Sequence, residues 1–137
     1  MSNFQRMLED LDALNLPSNQ YAITSSGPLA IRNIREAGDI DIIVSDNLWK
    51  ELSKRYSVHH LSYNDSIEIG NIQILGNWEN DLERKYSTTE QIETADVFGG
   101  RRYVNLKIIL HYKKLGTREK DARDVSLINE YLKNQAN

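Results

Sequence analysis

The 137-residue sequence has no cysteine, two prolines, seven glycines and three histidines. Without cysteine there is no disulfide framework, no zinc ribbon and no thiol nucleophile. His59, His60 and His111 are too few and too scattered for a His-built metal centre. His59 and His60, adjacent in an extended stretch, face opposite sides and cannot share one ion. No apolar run approaches the roughly 20 residues that span a bilayer. The first residues, MSNFQRMLEDLDAL, carry acids and a helical period where a signal peptide would have an apolar core. The expectation is a cytoplasmic protein with no membrane partner. Hydrophobic residues at 39% and charged residues at 27% are too rich in core-forming material for a disordered chain. The length predicts one domain over 1–137.

What is present is unevenly placed. Residues 101–123 hold eight basic residues, Arg101, Arg102, Lys107, Lys113, Lys114, Arg118, Lys120 and Arg123, against Glu119 and Asp121. That segment carries +6 and the rest of the chain −9. A basic segment on an acidic body is either a phosphate, RNA or partner surface, or a solvated helix face with internal pairs.

Hydrophobic spacing predicts an amphipathic helix over 3–14, from Phe4, Met7, Leu8, Leu11 and Leu14. A short strand follows at 21–24. Ser25-Ser26-Gly27-Pro28 then opens a helix, with Leu29, Ile31 and Ile34 inward and Ala37-Gly38 closing it. Residues 39–44 are the clearest strand. Ser45-Asp46-Asn47 caps a helix with Leu48, Trp49, Leu52 and Tyr56 on its apolar stripe. Three short strands are expected at 57–62, 66–69 and 71–75, the last two joined at Gly70-Asn71. Helical pieces fall within 79–93, and residues 94–104 hold either a strand or a hairpin around Gly99-Gly100. Two C-terminal helices cover about 105–114 and 118–133, the second with Val125, Ile128 and Leu132 inward. This order predicts an α/β (α+β) fold, a small mixed β-sheet flanked by helices.

Asp39 and Asp41 are the first candidates for chemistry. Residues i and i+2 of a strand face the same side, about 6.6–6.8 Å apart. Converging carboxylates repel unless a cation sits between them. Mg²⁺ suits such a pair, because it takes hard oxygen ligands and is often shared with substrate phosphates. The other reading is a half-exposed strand with a polar outer face. Upstream lies a strand, a turn of small residues and a helix start. That arrangement lets backbone N–H groups approach a phosphate, although a tight strand-to-helix connection also needs small residues.

The stretch YAITSSGPLAIRNIREAGDIDIIVS, residues 21–45, resembles the signature of the nucleotidyltransferase fold superfamily, in the form of its small single-domain members. TREKDARDVSLI, residues 117–128, resembles the Arg-x-Lys-Asp-x-x-Asp helix of bacterial members. The two matches cover a little over a quarter of the chain. The resemblance implies transfer of a nucleoside monophosphate from an NTP to an acceptor hydroxyl, with Mg²⁺ or Mn²⁺. Asp39 and Asp41 would hold the metal. Ser25, Ser26 and Gly27 would line the triphosphate. Arg35 and Lys120 would contact phosphate, with an alternative for Lys120 as a structural clip to Asp121 or Asp124 on its own helix.

The sequence departs from that pattern twice. The family turn begins with Gly, and here Ser25 stands first. Active members also carry a third carboxylate on a later strand, where this chain has Gln73. An amide is uncharged and is no base. Glu68, on the preceding strand, is the candidate substitute, against an ordinary role as an exposed strand residue. The alternative function is therefore a catalytically reduced protein that binds nucleotide, RNA or a partner protein through residues 101–123, such as one half of a two-component or toxin–antitoxin system. Among the aromatics, Trp49 and Trp78 read as core, and Tyr103 and Tyr112 could stack on a base.

Overall fold

The computed structural model describes residues 2–136. Helix α1 (Asn3–Asp12) is capped by the Ser2 hydroxyl, which accepts from the Gln5 N–H, and buries Met7, Leu8 and Leu11. Strand β1 (Tyr21–Thr24) leads into the single turn of α2 (Gly27–Ala30). Strand β2 (Ile40–Val44) precedes α3 (Asp46–Ser53), whose first turn is capped by Ser45. Strands β3 (His59–His60), β4 (Asp65–Ile69) and β5 (Ile72–Gly76) follow, then a 3₁₀ turn at Asp81–Glu83 and α4 (Thr88–Glu93). The hairpin of β6 (Asp96–Phe98) and β7 (Arg101–Tyr103) leads to α5 (Leu106–Leu115) and α6 (Glu119–Gln135).

The strands form one mixed sheet in the order β3-β4-β5-β2-β1-β7-β6. The pairs β2–β5 and β1–β7 are parallel and the others antiparallel. Each face has its own core. On one, α1 and α3 pack Leu8, Leu11, Leu48 and Trp49 onto Ile23, Ile40, Ile42 and Ile74. On the other, α4, α5 and α6 pack Ile92, Ile108, Ile109 and Ile128 onto Ala22 and Ile43. Strand β2 alternates between them: Ile40, Ile42 and Val44 serve the first core, and Ile43 the second. The period of two therefore puts Asp41 on the face covered by α5 and α6.

The helix expected to open at Ser25-Ser26-Gly27-Pro28 and close at Ala37-Gly38 is shorter than its apolar spacing suggests. Asn33 adopts a left-handed conformation, φ 59°. The Ile34 N–H donates to the Leu29 carbonyl and the Asn33 N–H to that of Ala30, at 3.0 Å each. This is the paired bonding of a Schellman stop, for which Asn is the usual substitute for Gly. Leu29 and Ile34 meet in the same core, as that motif favours. In α6 the inward stripe also differs from expectation. Asp121, Asp124 and Ile128 are buried, Val125 is half-buried and Leu132 exposed.

Candidate functional site

Asp41 pairs laterally with Thr24 on β1 and Gln73 on β5, and Gln73 pairs with Glu68 on β4. Laterally paired residues share a face, so Thr24, Asp41, Gln73 and Glu68 form one row. Asp39 lies in the bend just before β2, one residue short of the expected strand. Both aspartates line a cleft of about 750 Å³, together with Ser25, Ser26, Arg35 and Lys120. Gln73, Lys113, Arg118 and Arg123 complete its polar wall.

The pair is electrostatically unsatisfied. Asp41 Oδ1 is buried and has no hydrogen-bond partner. Burial pushes the Asp41 pKa up to about 6, and the charge of Asp39 adds to the rise. Ser25, Lys113 and Lys120 pull the other way without cancelling it. An orphaned carboxylate oxygen beside a second carboxylate, facing a cleft rimmed with cations, fits a hard divalent ion shared with phosphate.

Ser25 takes φ 58°, a left-handed conformation that costs a residue with a Cβ about 1 kcal/mol. This is the physical reason for Gly at the same place in the family pattern. Gly27 lies off the residues that line the cleft. It is buried behind the turn, and a Cβ there would collide with the Ile23 side chain. Its visible work is close packing of α2 on β1.

Glu68 does not join the aspartates. It stands two strands from Asp41, about 10 Å across the sheet, with Gln73 between them. It is exposed and lies off the cleft wall. Among the described residues, no three carboxylate or imidazole groups converge as a metal cluster.

The clip, the alternative reading of Lys120, is made by other residues. Asp124, only 2% exposed, accepts Arg35 Nε at 2.6 Å and Arg35 Nη2 at 2.8 Å. Lys113 Nζ lies 3.0 Å from Asp124 and 3.6 Å from Asp121. Arg118 grips Asp121 through Nε and Nη2, both at 3.0 Å. Gly116 permits this closeness, since a Cβ there would strike the Asp121 carboxylate. Burial opposes the charge on Asp124, but the bonds from Arg35 and Lys113 outweigh it and its pKa is lowered. Lys120 is exposed on the cleft wall and makes no ion pair among the described residues. Arg35 therefore reaches the cleft only as a committed partner of Asp124. Arg32 faces elsewhere, bonded to Asp96 and the Pro28 carbonyl.

The basic segment 101–123 is not one surface. Arg101 is paired with Asp12 on α1, Arg102 donates to the Ile92 carbonyl, and Lys113 and Arg118 are absorbed by the aspartates of α6. Tyr103 is fully buried, which removes it as a stacking platform. Tyr112 and Trp78 are half-buried and line a second cavity of about 460 Å³ beside the cleft. Trp49 is core. Among the described residues no helix is long and apolar enough to cross a membrane.

No family model matches the sequence, and no curated protein does. The chain is similar in structure to a "putative nucleotidyltransferase" from Thermotoga maritima, solved by crystallography, with a TM-score of 0.50 over 93% of each chain. The two are 21% identical, so the likeness speaks for fold. The fold is thus a nucleotidyltransferase-like α/β arrangement, with a seven-stranded mixed sheet and two C-terminal helices.

Proposed function

We propose that the protein binds an NTP with Mg²⁺ or Mn²⁺ in the Asp39/Asp41 cleft and transfers its nucleoside monophosphate to an acceptor hydroxyl. The observation that carries this reading is the buried, unpartnered Asp41 Oδ1, next to Asp39, on the wall of a cation-rimmed cleft. Asp39 and Asp41 would hold the ion, which when bound supplies charge neutralisation at the phosphates. Lys120 has its charge free for a phosphate oxygen. Lys113 and Arg118 hold theirs close by, fixed in place by Asp121 and Asp124. The acceptor oxygen would form a bond to the α-phosphorus as the bond to pyrophosphate breaks, and the hydroxyl proton would pass to water. The protein's part is then positioning and electrostatic stabilisation.

A second reading has its own observation. Gln73 occupies the slot beside Asp41 where an acid would take the acceptor's proton, and Glu68 is too far to replace it. This favours a reduced protein that binds nucleotide without turnover. Incubation with labelled NTPs, Mg²⁺ or Mn²⁺ and cell lysate or total RNA separates the two. Label on an acceptor, lost in Asp41→Ala, supports transfer. Thermal stabilisation by NTP–Mg²⁺ without label supports binding alone, and absence of both sinks both readings.

A further inference from the structure

Asp124 is one carboxylate serving two cations from different parts of the chain. Arg35 comes from the segment between α2 and β2, four residues before Asp39, and Lys113 comes from α5. Arg35 donates through Nε to Oδ1 at 2.6 Å and through Nη2 to Oδ2 at 2.8 Å. Lys113 Nζ stands 3.0 Å from the same Oδ2. The remaining arm of Arg35, Nη1, donates to the Glu36 carbonyl at 2.8 Å. Arg35, Lys113 and Asp124 all line the cleft that holds Asp39 and Asp41.

Both cations are within electrostatic reach of the other two acids. The Asp39 charge acts on Arg35, and the Lys113 charge acts on Asp41. The Arg35 side chain is 31% exposed, so the guanidinium has room to turn on its flexible stem. A cation paired with Asp39 or Asp41 would occupy the oxygens that a divalent ion needs and would repel the ion. Yet Asp41 Oδ1 has no partner, and Asp39 forms no ion pair among the described residues. Lys113 has a second acid, Asp121, at 3.6 Å. Arg35 has Asp124 alone among the described residues.

We propose that Asp124 is a positioning residue that holds Arg35 away from Asp39 and Asp41 and so keeps their oxygens open to a divalent ion. The inference rests on the cleft being the metal site of the proposed function. It goes beyond that function by giving a buried acid outside the coordinating pair a part in metal affinity. This role differs from that of a strut. If Asp124 and Arg35 merely brace α6 against the segment leading to Asp39, losing either one, or both, loosens the site. If Asp124 restrains a competing cation, the harm of losing it comes from Arg35 and disappears when Arg35 is lost too.

Mn²⁺ binding to the intact protein, read by electron paramagnetic resonance without nucleotide, separates the two roles. Asp124→Asn keeps the side-chain shape and removes the charge. It should weaken Mn²⁺ binding about tenfold or more, the usual size when a group supporting the metal ligands is lost. Arg35 is then the freed cation, because Lys113 keeps Asp121. Adding Arg35→Gln to Asp124→Asn should restore affinity to within about threefold of wild type, a non-additive result that a strut does not give. Arg35→Gln alone should bind Mn²⁺ at least as tightly as wild type. That variant decides the matter if Asp124→Asn does not fold, and weaker binding by it overturns the proposal. An Asp124→Asn protein that binds like wild type also overturns it, as does a double variant as weak as the single one. The metal reading of Asp39 and Asp41 survives each of those results. Wild-type protein that takes up no Mn²⁺ brings down the metal reading, and this inference with it.

Discussion

Two pairs of aspartates, Asp39 with Asp41 and Asp121 with Asp124, are in opposite electrostatic states, and Asp39, Asp41 and Asp124 line one cleft. Asp121 and Asp124 are buried and fully matched, with Lys113, Arg35 and Arg118 around them. Asp39 and Asp41 have each other as neighbours, and one Asp41 oxygen has no partner. The matched pair has lowered pKa values, from the Arg118 bond first for Asp121 and against the cost of burial for Asp124. The unmatched pair has Asp41 raised to about 6. As sequence, DID and DARD look much alike. The difference teaches that acids which support the fold arrive with their cations, and that a buried acid left short of them is a candidate for a ligand site.

The largest expected effect breaks the matched pair. Asp124→Ala strands Arg35 and Lys113 without their shared partner. Removing one member of a buried ion pair typically costs about 3–5 kcal/mol, and urea unfolding at pH 7 should show a loss near the lower end, because Arg35 is partly solvated. The loss has a pH signature. A depressed carboxylate stabilises the fold above its unfolded pKa near 4, and that contribution disappears as pH falls through the folded value. Wild type and variant should therefore converge in acid. A variant as stable as wild type at pH 7 would remove the structural role.

The converse change, Asp41→Asn, should stabilise the protein. Asp41 is raised from 3.8 to about 6, so above pH 6 it is ionised in both states and the native state bears the cost. Between the two values the native state is protonated first and the cost shrinks as pH falls, until well below 3.8 it is protonated in both states and the cost is gone. Two units correspond to up to roughly 3 kcal/mol, gained by the variant at pH 7–8 and shrinking toward pH 4. Denaturant midpoints across that range measure it. A destabilised variant at pH 8 would mean that Asp41 has an unrecognised partner.

How much of this was legible in the sequence divides along the same line. Period-two and period-3.6 patterns placed β2, the Gly70 hairpin, the Gly99-Gly100 hairpin, α5 and α6, because each is local. The spacing of Asp39 and Asp41 put both on one cleft. Of the two readings open for Lys120, phosphate contact and clip, the clip to Asp121 or Asp124 is not formed, and Arg35, the partner of Asp124, lies 89 residues away. No local pattern carries a contact of that range. The stop of α2 had a signal, Asn33, four residues inside an otherwise helical apolar spacing. The second cavity had none: Trp78, Arg84 and Tyr112 have no common period and meet only through tertiary packing.

A smaller test addresses the turn that separates the two pairs. Ser25→Gly relieves a left-handed φ of 58° and should raise stability by about 1 kcal/mol, less the entropy glycine adds to the unfolded chain. It also removes the hydroxyl that restrains Asp41, so the Asp41 pKa should move further up. NMR titration of the Asp41 carboxyl reads the second effect independently of the first. A fall in that pKa would contradict the placement of Ser25.

The smallest stability effect is expected at Lys120, and it makes the comparison sharpest. Lys113 and Lys120 are seven residues apart and line the same cleft. Lys113 is 14% exposed and spent on Asp121 and Asp124, whereas Lys120 is exposed and unpaired among the described residues. Lys120→Gln should change stability by less than about 0.5 kcal/mol, as surface substitutions do. Lys113→Gln should cost several times more, because two buried carboxylates lose a cation. Polyphosphate binding inverts the usual link between stability and function. Lys120→Gln should weaken tripolyphosphate–Mg²⁺ binding several-fold, with a shallower salt dependence, in a protein that unfolds like wild type. Equal binding by wild type and Lys120→Gln would place the phosphate elsewhere in the cleft and return Lys120 to the solvated face of α6.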